Sequence, residues 1–207
     1  MPEYAIGIMA RYPERGKVKT RLAEAIGNER ALQIYKKLLK TTMQLMCNLD
    51  NQSFYRTIFI TPTEKLISFE KEHPGYDAVC TQKGNDLGER MMNALQFLLC
   101  RDGVDKAILI GCDCPEISHE TFAQACSALI ENDLVLGPTP DGGYYLIGMK
   151  KVYPQLFREI EWGGNEVFRH TEAAAAGINL RVVRLTELRD LDNATDLEYF
   201  TRQGILL

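Results

Sequence analysis

The chain has 207 residues, of which 45% are hydrophobic and 25% are charged, and its formal net charge at pH 7 is -4. This is the composition of an ordinary globular protein, and we expect a single domain spanning residues 1–207. The acidic balance disfavours nucleic-acid and membrane-surface binding, which require a basic face. No apolar run is long enough to cross a bilayer and the first residues lack a secretory signal pattern, so we expect a cytoplasmic protein.

The first predicted strand covers residues 4–10 and leads into a loop that is basic on an otherwise acidic protein. The cations of this loop are Arg11, Arg15, Lys17, Lys19 and Arg21. Ligands of open α/β sheets bind beyond the carboxyl ends of the strands, and Lys and Arg side chains suit phosphate groups. The loop is therefore predicted to bind nucleotide phosphates, although a solvated charged loop without a ligand would have the same composition.

The next segment alternates predicted helices and strands. Apolar spacing over residues 28–49 predicts a long amphipathic helix, whose Tyr35 is assigned to the core. Strands are expected at residues 54–61 and 77–82, separated by a short helix. Gly84 and Gly88 then precede or open another helix, where glycines allow a ligand to approach the backbone. Alternatively these residues only form the turn, with Asp86 as the helix N-cap.

A continuous apolar run at residues 107–110 predicts a strand that is buried on both faces. It ends in Gly111-Cys112-Asp113-Cys114-Pro115. Asp113 is expected in the crevice beyond the strand, where a carboxylate can hold a divalent cation against phosphate oxygens. The alternative for Asp113 is an Asx turn that closes the loop. The six cysteines lack zinc-ligand spacing and are expected to be small core residues.

The last third of the chain contains two further groups of candidate residues. A glycine-rich turn precedes a predicted strand, and it could hold an acceptor or form a tight hairpin. Its residues are Asp141, Gly142, Gly143 and Tyr144. A helix over residues 166–176 with Gly177 as C-cap and a core strand over residues 180–185 follow. Asp190 or Asp192, before a terminal helix, could complete a metal site with Asp113.

Five motifs occur in an order that resembles a known family. They are Lys17-x-Lys19-Thr20-Arg21-Leu22-Ala23, Gly84-x-x-Leu87-Gly88-x-Arg90-Met91, Gly111-x-Asp113-Cys114-Pro115, Gly137-Pro138-x-x-Asp141-Gly142-Gly143-Tyr144-Tyr145-Leu146-Ile147-Gly148 and Asp190-x-Asp192-x-x-x-Asp196-Leu197. The chain resembles the bacterial glycosyltransferase-A-fold family of radical-SAM/selenodomain-associated transferases, also described as nucleotide-diphospho-sugar transferases. It is more distantly similar to phospholactate guanylyltransferase.

The resemblance implies a three-layer α/β/α sandwich with a mostly parallel sheet, and it implies roles for particular residues. The catalytic group comprises Lys17, Lys19, Arg21 and Asp113. The nucleotide is expected to contact Ala10, Arg11, Gln82, Gly84 and Gly88. Mg²⁺ or Mn²⁺ is expected on Asp113 and Asp192, and the acceptor is expected beside Asp141, Gly142, Gly143 and Tyr144.

The expected activity is metal-dependent transfer of a nucleotidyl group from a nucleoside triphosphate to a small phosphate or hydroxyl acceptor. Glycosyl transfer from a nucleotide-diphospho-sugar needs the same cations and the same acid, so it is the first alternative. The second alternative is a nucleotide-binding module without catalytic activity, because a fold does not determine a function.

Overall fold

A computed structural model describes residues 1–205 of the chain. The strands are β1 (Tyr4–Arg11), β2 (Phe54–Thr61), β3 (Ala78–Thr81), β4 (Lys106–Ile110), β5 (Leu134–Pro138), β6 (Tyr144–Met149) and β7 (Val182–Arg184). They form one seven-stranded sheet in the order β3-β2-β1-β4-β6-β5-β7. Both neighbours of β6 pair with it in antiparallel fashion, and the other pairings of the described sheet are parallel.

Helices connect most of the strands. They are α1 (Thr20–Ile26), α2 (Asn28–Cys47), α3 (Leu66–Glu72), α4 (Leu87–Leu99), α5 (His119–Glu131), α6 (Val167–Gly177) and α7 (Ala194–Arg202), with 3-10 turns at Thr63–Lys65 and Pro154–Phe157. Within residues 1–205, no helix combines the length and the apolar character needed to cross a membrane.

Helices cover both faces of the sheet. Alternate residues of a strand point to opposite faces, so Ile6 and Ile8 pack with α2 and α5, whereas Ala5 packs with α4. All residues of β4 are buried, as the continuous apolar run predicts. The expected three-layer α/β/α sandwich with a mostly parallel sheet is confirmed.

The basic loop is shorter than expected because α1 begins at Thr20. Leu22 of this helix is fully buried in a third apolar cluster that also contains Leu38 of α2 and Phe200 of α7. This burial orders residues that the charge pattern assigns to the loop. Lys19 consequently becomes the residue that precedes the first turn of α1.

From the end of α6 onward, the structure differs from the prediction in two places. The predicted core strand at residues 180–185 is only the three-residue edge strand β7, which pairs with β5 alone among the described strands and is not buried. Gly177 is the last residue of α6 rather than its cap, and the left-handed backbone follows at Asn179, whose φ is 55°.

Candidate functional site

The carboxyl ends of the neighbouring strands β1 and β4 border a cavity of about 330 Å³. Charged residues from three separate segments line it: Arg11, Lys17, Lys19, Arg21, Asp113 and Asp192. The structure thus brings together all of the predicted catalytic residues, both predicted metal ligands and one of the predicted nucleotide residues. Since parallel strands direct the loops that follow them to the same edge, this is the position expected for a ligand site.

Lys19 connects the two acids of the cavity. Its Nζ lies 2.8 Å from Asp113 Oδ1 and 3.3 Å from Asp192 Oδ1, and its side chain is only 2% exposed. Burial alone would lower the pKa of Lys19, but the carboxylates of Asp113 and Asp192 outweigh it and the pKa is raised. The ammonium group therefore remains charged although it is buried.

The other cations of the cavity are more exposed. Arg21 is 73% exposed and its Nη1 lies 3.3 Å from Asp192 Oδ2. The Arg11 guanidinium donates to the Lys17 carbonyl oxygen at 3.1 Å, which closes the loop between them. Lys17 itself is exposed and forms no ion pair within residues 1–205. Lys17 and Arg21 can therefore reach an anion without first losing a buried partner.

The segment before α7 lies directly beside the loop that follows β4. The Leu191 amide donates to the Asp113 carbonyl oxygen at 2.8 Å, which places Asp190 and Asp192 near Asp113. The pKa of Asp190 is raised to about 7, mainly by burial and to a lesser extent by repulsion from Asp113. Asp192, by contrast, is 44% exposed and lines the cavity. Of the two candidates for a second metal ligand, Asp192 has the better access.

Tyr35 is a site residue that sequence reasoning missed. It is buried, as its position in the helical pattern predicts, but it also lines the cavity and contacts the backbone of Arg11. Helical periodicity identifies a buried face and does not distinguish packing from a cavity floor. No feature of the local sequence separates Tyr35 from the other buried residues of α2.

The predicted nucleotide residues after β3 lie outside the cavity lining. Gln82 donates through Nε2 to the Ala10 carbonyl oxygen at 2.9 Å and thereby links the ends of two strands. Gly84 has a φ of +137° and its carbonyl oxygen accepts a hydrogen bond from Arg90. Gly88 packs against an aromatic ring, because a Cβ there would lie 2.4 Å from Trp162 Nε1.

The predicted acceptor residues form the β5–β6 hairpin. Asp141 Oδ1 accepts from the Gly143 amide at 3.1 Å, and Gly142 has a φ of +86°. A Cβ on Gly142 would overlap the Asn165 carbonyl oxygen. Both this close approach and the positive φ require glycine at position 142. The hydroxyl of Tyr144 is buried and does not reach the cavity. The sequence left open whether this segment forms a hairpin, and the structure shows one, in which residues 139–143 connect β5 and β6.

The donor set of the cavity is compatible with Mg²⁺ or Mn²⁺ only if a ligand adds further oxygens. Within residues 1–205, no three His, Cys, Asp or Glu side chains are grouped to hold a metal ion. Asp113 and Asp192 are both accessible and both lie against one ammonium group. Mg²⁺ is commonly held by one or two carboxylates together with substrate phosphates, and this pair matches that arrangement.

Comparisons with solved structures agree with the fold. A "putative nucleotide-diphospho-sugar transferase" from Desulfovibrio desulfuricans G20 is 34% identical, with a TM-score of 0.91 over 99% of this chain and 88% of that chain. The 4-diphosphocytidyl-2C-methyl-D-erythritol synthase from Anaerococcus prevotii is 11% identical, with a TM-score of 0.63 over 98% of each chain. A manganese complex of Rv0371c from Mycobacterium tuberculosis H37Rv is 12% identical, with a TM-score of 0.56 over 97% of this chain and 98% of that chain.

The transferase class predicted from the sequence agrees with the similarity to the Desulfovibrio protein and is confirmed at that level. No curated protein matches the chain. A family model described as "Uncharacterized protein conserved in bacteria (DUF2064)" matches residues 45–164, which is more than half of the chain. The protein therefore belongs to the DUF2064 family.

Proposed function

We propose that this chain is a metal-dependent nucleotidyltransferase. It binds a nucleoside triphosphate in the cavity at the carboxyl ends of β1 and β4 and transfers the nucleotidyl group to a small phosphate or hydroxyl acceptor. The observation that carries the proposal is the convergence of Lys17, Lys19 and Arg21 on the same cavity as Asp113 and Asp192.

Each charged group has a role that follows from its exposure. Lys17 and Arg21 are exposed, so they bind the outer phosphates and stabilise the charge that develops on the leaving pyrophosphate. Lys19 is buried and contributes a fixed positive charge beside the reacting phosphate. Positioning and electrostatic stabilisation are the main contributions of a protein to phosphoryl-type transfer.

Asp113 and Asp192 are the residues that would hold Mg²⁺ or Mn²⁺ together with phosphate oxygens. The metal would supply charge neutralisation on the phosphates. The manganese complex of the structurally similar Rv0371c supports the binding of a divalent cation by a protein of this fold. We propose Asp113 and Asp192 as the ligands of such a cation in this chain.

The transfer itself needs no nucleophile from the protein. An acceptor oxygen attacks the α-phosphorus and forms a new P–O bond as the bond to the bridging oxygen of pyrophosphate breaks. The Asp141–Tyr144 hairpin lies at the same edge of the sheet as the cavity, since the Gly111 amide after β4 donates to the Tyr145 carbonyl oxygen at 3.2 Å. In this proposal the acceptor binds beside that hairpin. The base lies toward the Gln82–Gly88 segment.

Glycosyl transfer is the second candidate function. It is favoured by the 34% identity to the Desulfovibrio protein named as a nucleotide-diphospho-sugar transferase. The same cations would then stabilise a departing nucleoside diphosphate instead of pyrophosphate.

A two-stage experiment tests the proposal. Thermal shifts with nucleoside triphosphates and nucleotide-sugars, with and without Mn²⁺, identify the donor, because a ligand at a hundredfold its Kd stabilises a protein by about 2.7 kcal/mol. Product analysis with phosphate-bearing and hydroxyl acceptors then distinguishes released pyrophosphate from released nucleoside diphosphate.

Asp113→Asn is the test variant for this experiment, and Asp105→Asn is its matched control. Asp105 immediately precedes the opposite end of β4 and pairs with Lys106. Loss of the metal-dependent shift in Asp113→Asn alone supports the proposal. An equal response of both variants, or the absence of any donor response in the wild type, contradicts it.

A further inference from the structure

Lys19 occupies the space between the two carboxylates that the proposed function assigns to a metal ion. Its Nζ lies 2.8 Å from Asp113 Oδ1 and 3.3 Å from Asp192 Oδ1. A divalent cation that bridged these carboxylates would lie against the ammonium group, where like charges repel strongly because the site is partly shielded from water. The resident ammonium and a bare metal ion therefore compete for the same oxygens.

Helix α1 fixes the backbone of Lys19, so only a change in its own side chain could move the ammonium group away from the two carboxylates. Lys19 has a φ of 48° and a ψ of 46°, and its carbonyl oxygen accepts the hydrogen bond of the Ala23 amide at 2.8 Å. Its side chain is almost completely enclosed. Within residues 1–205, Lys19 is also the only cation that forms an ion pair with Asp113, so no second cation takes its place when the lysine charge is removed.

We infer that Lys19 is a built-in counter-ion that keeps divalent metal ions off Asp113 and Asp192 until a polyphosphate is present. The inference rests on the proposed function only in assigning the metal to these two acids. A phosphate oxygen gives the ammonium group a new anionic partner, and the oxygens of the carboxylates then become available to the metal. Metal and polyphosphate consequently bind together, and the empty protein does not take up the metal first.

Arg21 is a second cation beside Asp192, and it differs from Lys19 in exposure and in its partners. It also pairs with Asp192, at 3.3 Å, but it forms no ion pair with Asp113 among the described residues and it is largely exposed. An exposed guanidinium can move into solvent when a metal approaches, and its interaction is screened. Removing the charge of Arg21 should therefore matter much less for metal binding than removing the charge of Lys19.

The test is Mn²⁺ binding without any nucleotide, measured by the loss of the electron paramagnetic resonance signal of free Mn²⁺. The proteins are the wild type, Lys19→Met and Arg21→Met. Methionine keeps an unbranched apolar stem that is one atom shorter than the lysine side chain, and it removes the ammonium group with its charge and its hydrogen-bond donors. We expect Lys19→Met to bind one Mn²⁺ at least tenfold more tightly than the wild type, and Arg21→Met to change the Kd less than threefold. Equal affinity of Lys19→Met and the wild type overturns the inference.

A second arm uses the wild type and does not depend on the folding of Lys19→Met. Mn²⁺ alone should leave the melting temperature of the wild type unchanged, whereas Mn²⁺ with inorganic triphosphate should raise it more than triphosphate alone. Tight binding of Mn²⁺ alone to the wild type, abolished in Asp113→Asn, overturns the inference.

A failure of the counter-ion role of Lys19 can be distinguished from a failure of the proposed nucleotidyl transfer. If Lys19→Met gains Mn²⁺ affinity while no nucleotide donor is turned over, the counter-ion role stands and nucleotidyl transfer fails. If a donor is turned over while the wild type binds Mn²⁺ first, the proposed function stands and the counter-ion role is wrong.

Discussion

The phenolic oxygen of Tyr35 accepts a hydrogen bond from the Arg11 amide at 2.9 Å and donates one to the Arg11 carbonyl oxygen at 2.7 Å. One side chain of α2 thus satisfies both backbone polar groups of the last residue of β1. Cys112 Sγ lies 3.5 Å from the same oxygen, so Tyr35 also touches the loop that carries Asp113. Because buried backbone groups need partners, this arrangement holds the end of β1 beside that loop.

We expect Tyr35→Phe to lower the free energy of unfolding by about 1–3 kcal/mol, because the ring remains while the amide and carbonyl of Arg11 lose a partner. Nucleotide affinity should also fall several-fold, since Arg11 begins the basic loop of the cavity. Urea unfolding measures the first effect, and calorimetric titration with the donor measures the second.

Tyr145→Phe is the matched control for Tyr35→Phe. It removes a hydroxyl that donates to the Thr186 carbonyl oxygen at 3.0 Å, and Tyr145 does not line the cavity. This control should lose stability and keep its nucleotide affinity. If both variants lost affinity equally, Tyr35 would have no special role in positioning the end of β1.

The strands that border the cavity could be predicted from the sequence because their signals are local. The run at residues 54–61 was predicted with the bounds that β2 has in the structure. Likewise, a charged residue a few positions after a buried strand, such as Asp113 after β4, lies near the carboxyl edge in any parallel sheet. These signals predicted the cavity position of the basic loop and of Asp113, whereas Asp192 follows no such strand end and was assigned to the metal through the family resemblance.

The contacts between these residues could not be predicted, because they depend on long-range packing. Lys19 and Asp192 are 173 positions apart and meet because α1 and α7 share an apolar cluster with α2. α1 itself has only seven residues, and its capping residue makes no side-chain hydrogen bond that a sequence pattern could reveal. The packing of Trp162 on Gly88 is another such long-range contact.

Asp196 anchors the backbone of the proposed metal ligand Asp192. Its Oδ2 accepts the amide hydrogens of Asp192 at 3.0 Å and Asn193 at 3.1 Å, and its Oδ1 accepts from Arg189 at 3.0 Å. We expect Asp196→Ala to lower the free energy of unfolding by about 1–3 kcal/mol, because these donors lose their partner. It should also weaken metal-dependent nucleotide binding, measured by titration with and without Mn²⁺.

The control for Asp196→Ala is Glu198→Ala on the same helix. Glu198 is exposed and pairs only with Arg202 one turn away among the described residues. An exposed pair of this kind contributes less than about 0.5 kcal/mol. Should Glu198→Ala weaken nucleotide binding as much as Asp196→Ala, the effect would arise from α7 as a whole and not from the anchoring of Asp192.

Asp133 is expected to make the stability of the edge strand β7 depend on pH. Its carboxylate accepts the Arg181 amide at 2.9 Å, and this hydrogen bond lowers the pKa of Asp133 below its usual 3.8. Because the folded-state pKa is the lower one, the contribution is fully present above pH 3.8 and is lost as the pH falls further. Asp133→Asn should therefore melt below the wild type at pH 7, and the difference should shrink toward pH 3. A difference in melting temperature that stayed constant over this range would show that the charge is not responsible.

Gly88 and Trp162 allow a spectroscopic test, because Trp162 is the single tryptophan of the chain. A Cβ at position 88 would lie 2.4 Å from Trp162 Nε1, so Gly88→Ala must displace the indole ring from its place beside Phe157. We expect a red shift of the emission maximum as the ring becomes more hydrated, and a loss of about 1–3 kcal/mol in the free energy of unfolding from overpacking.

Gly177→Ala is the control, since nothing lies within 4 Å of the added Cβ at the end of α6. It should leave the emission unchanged and keep or slightly raise the stability, because alanine favours helix over glycine. An unshifted emission maximum in Gly88→Ala would mean that Trp162 does not cover the first turn of α4.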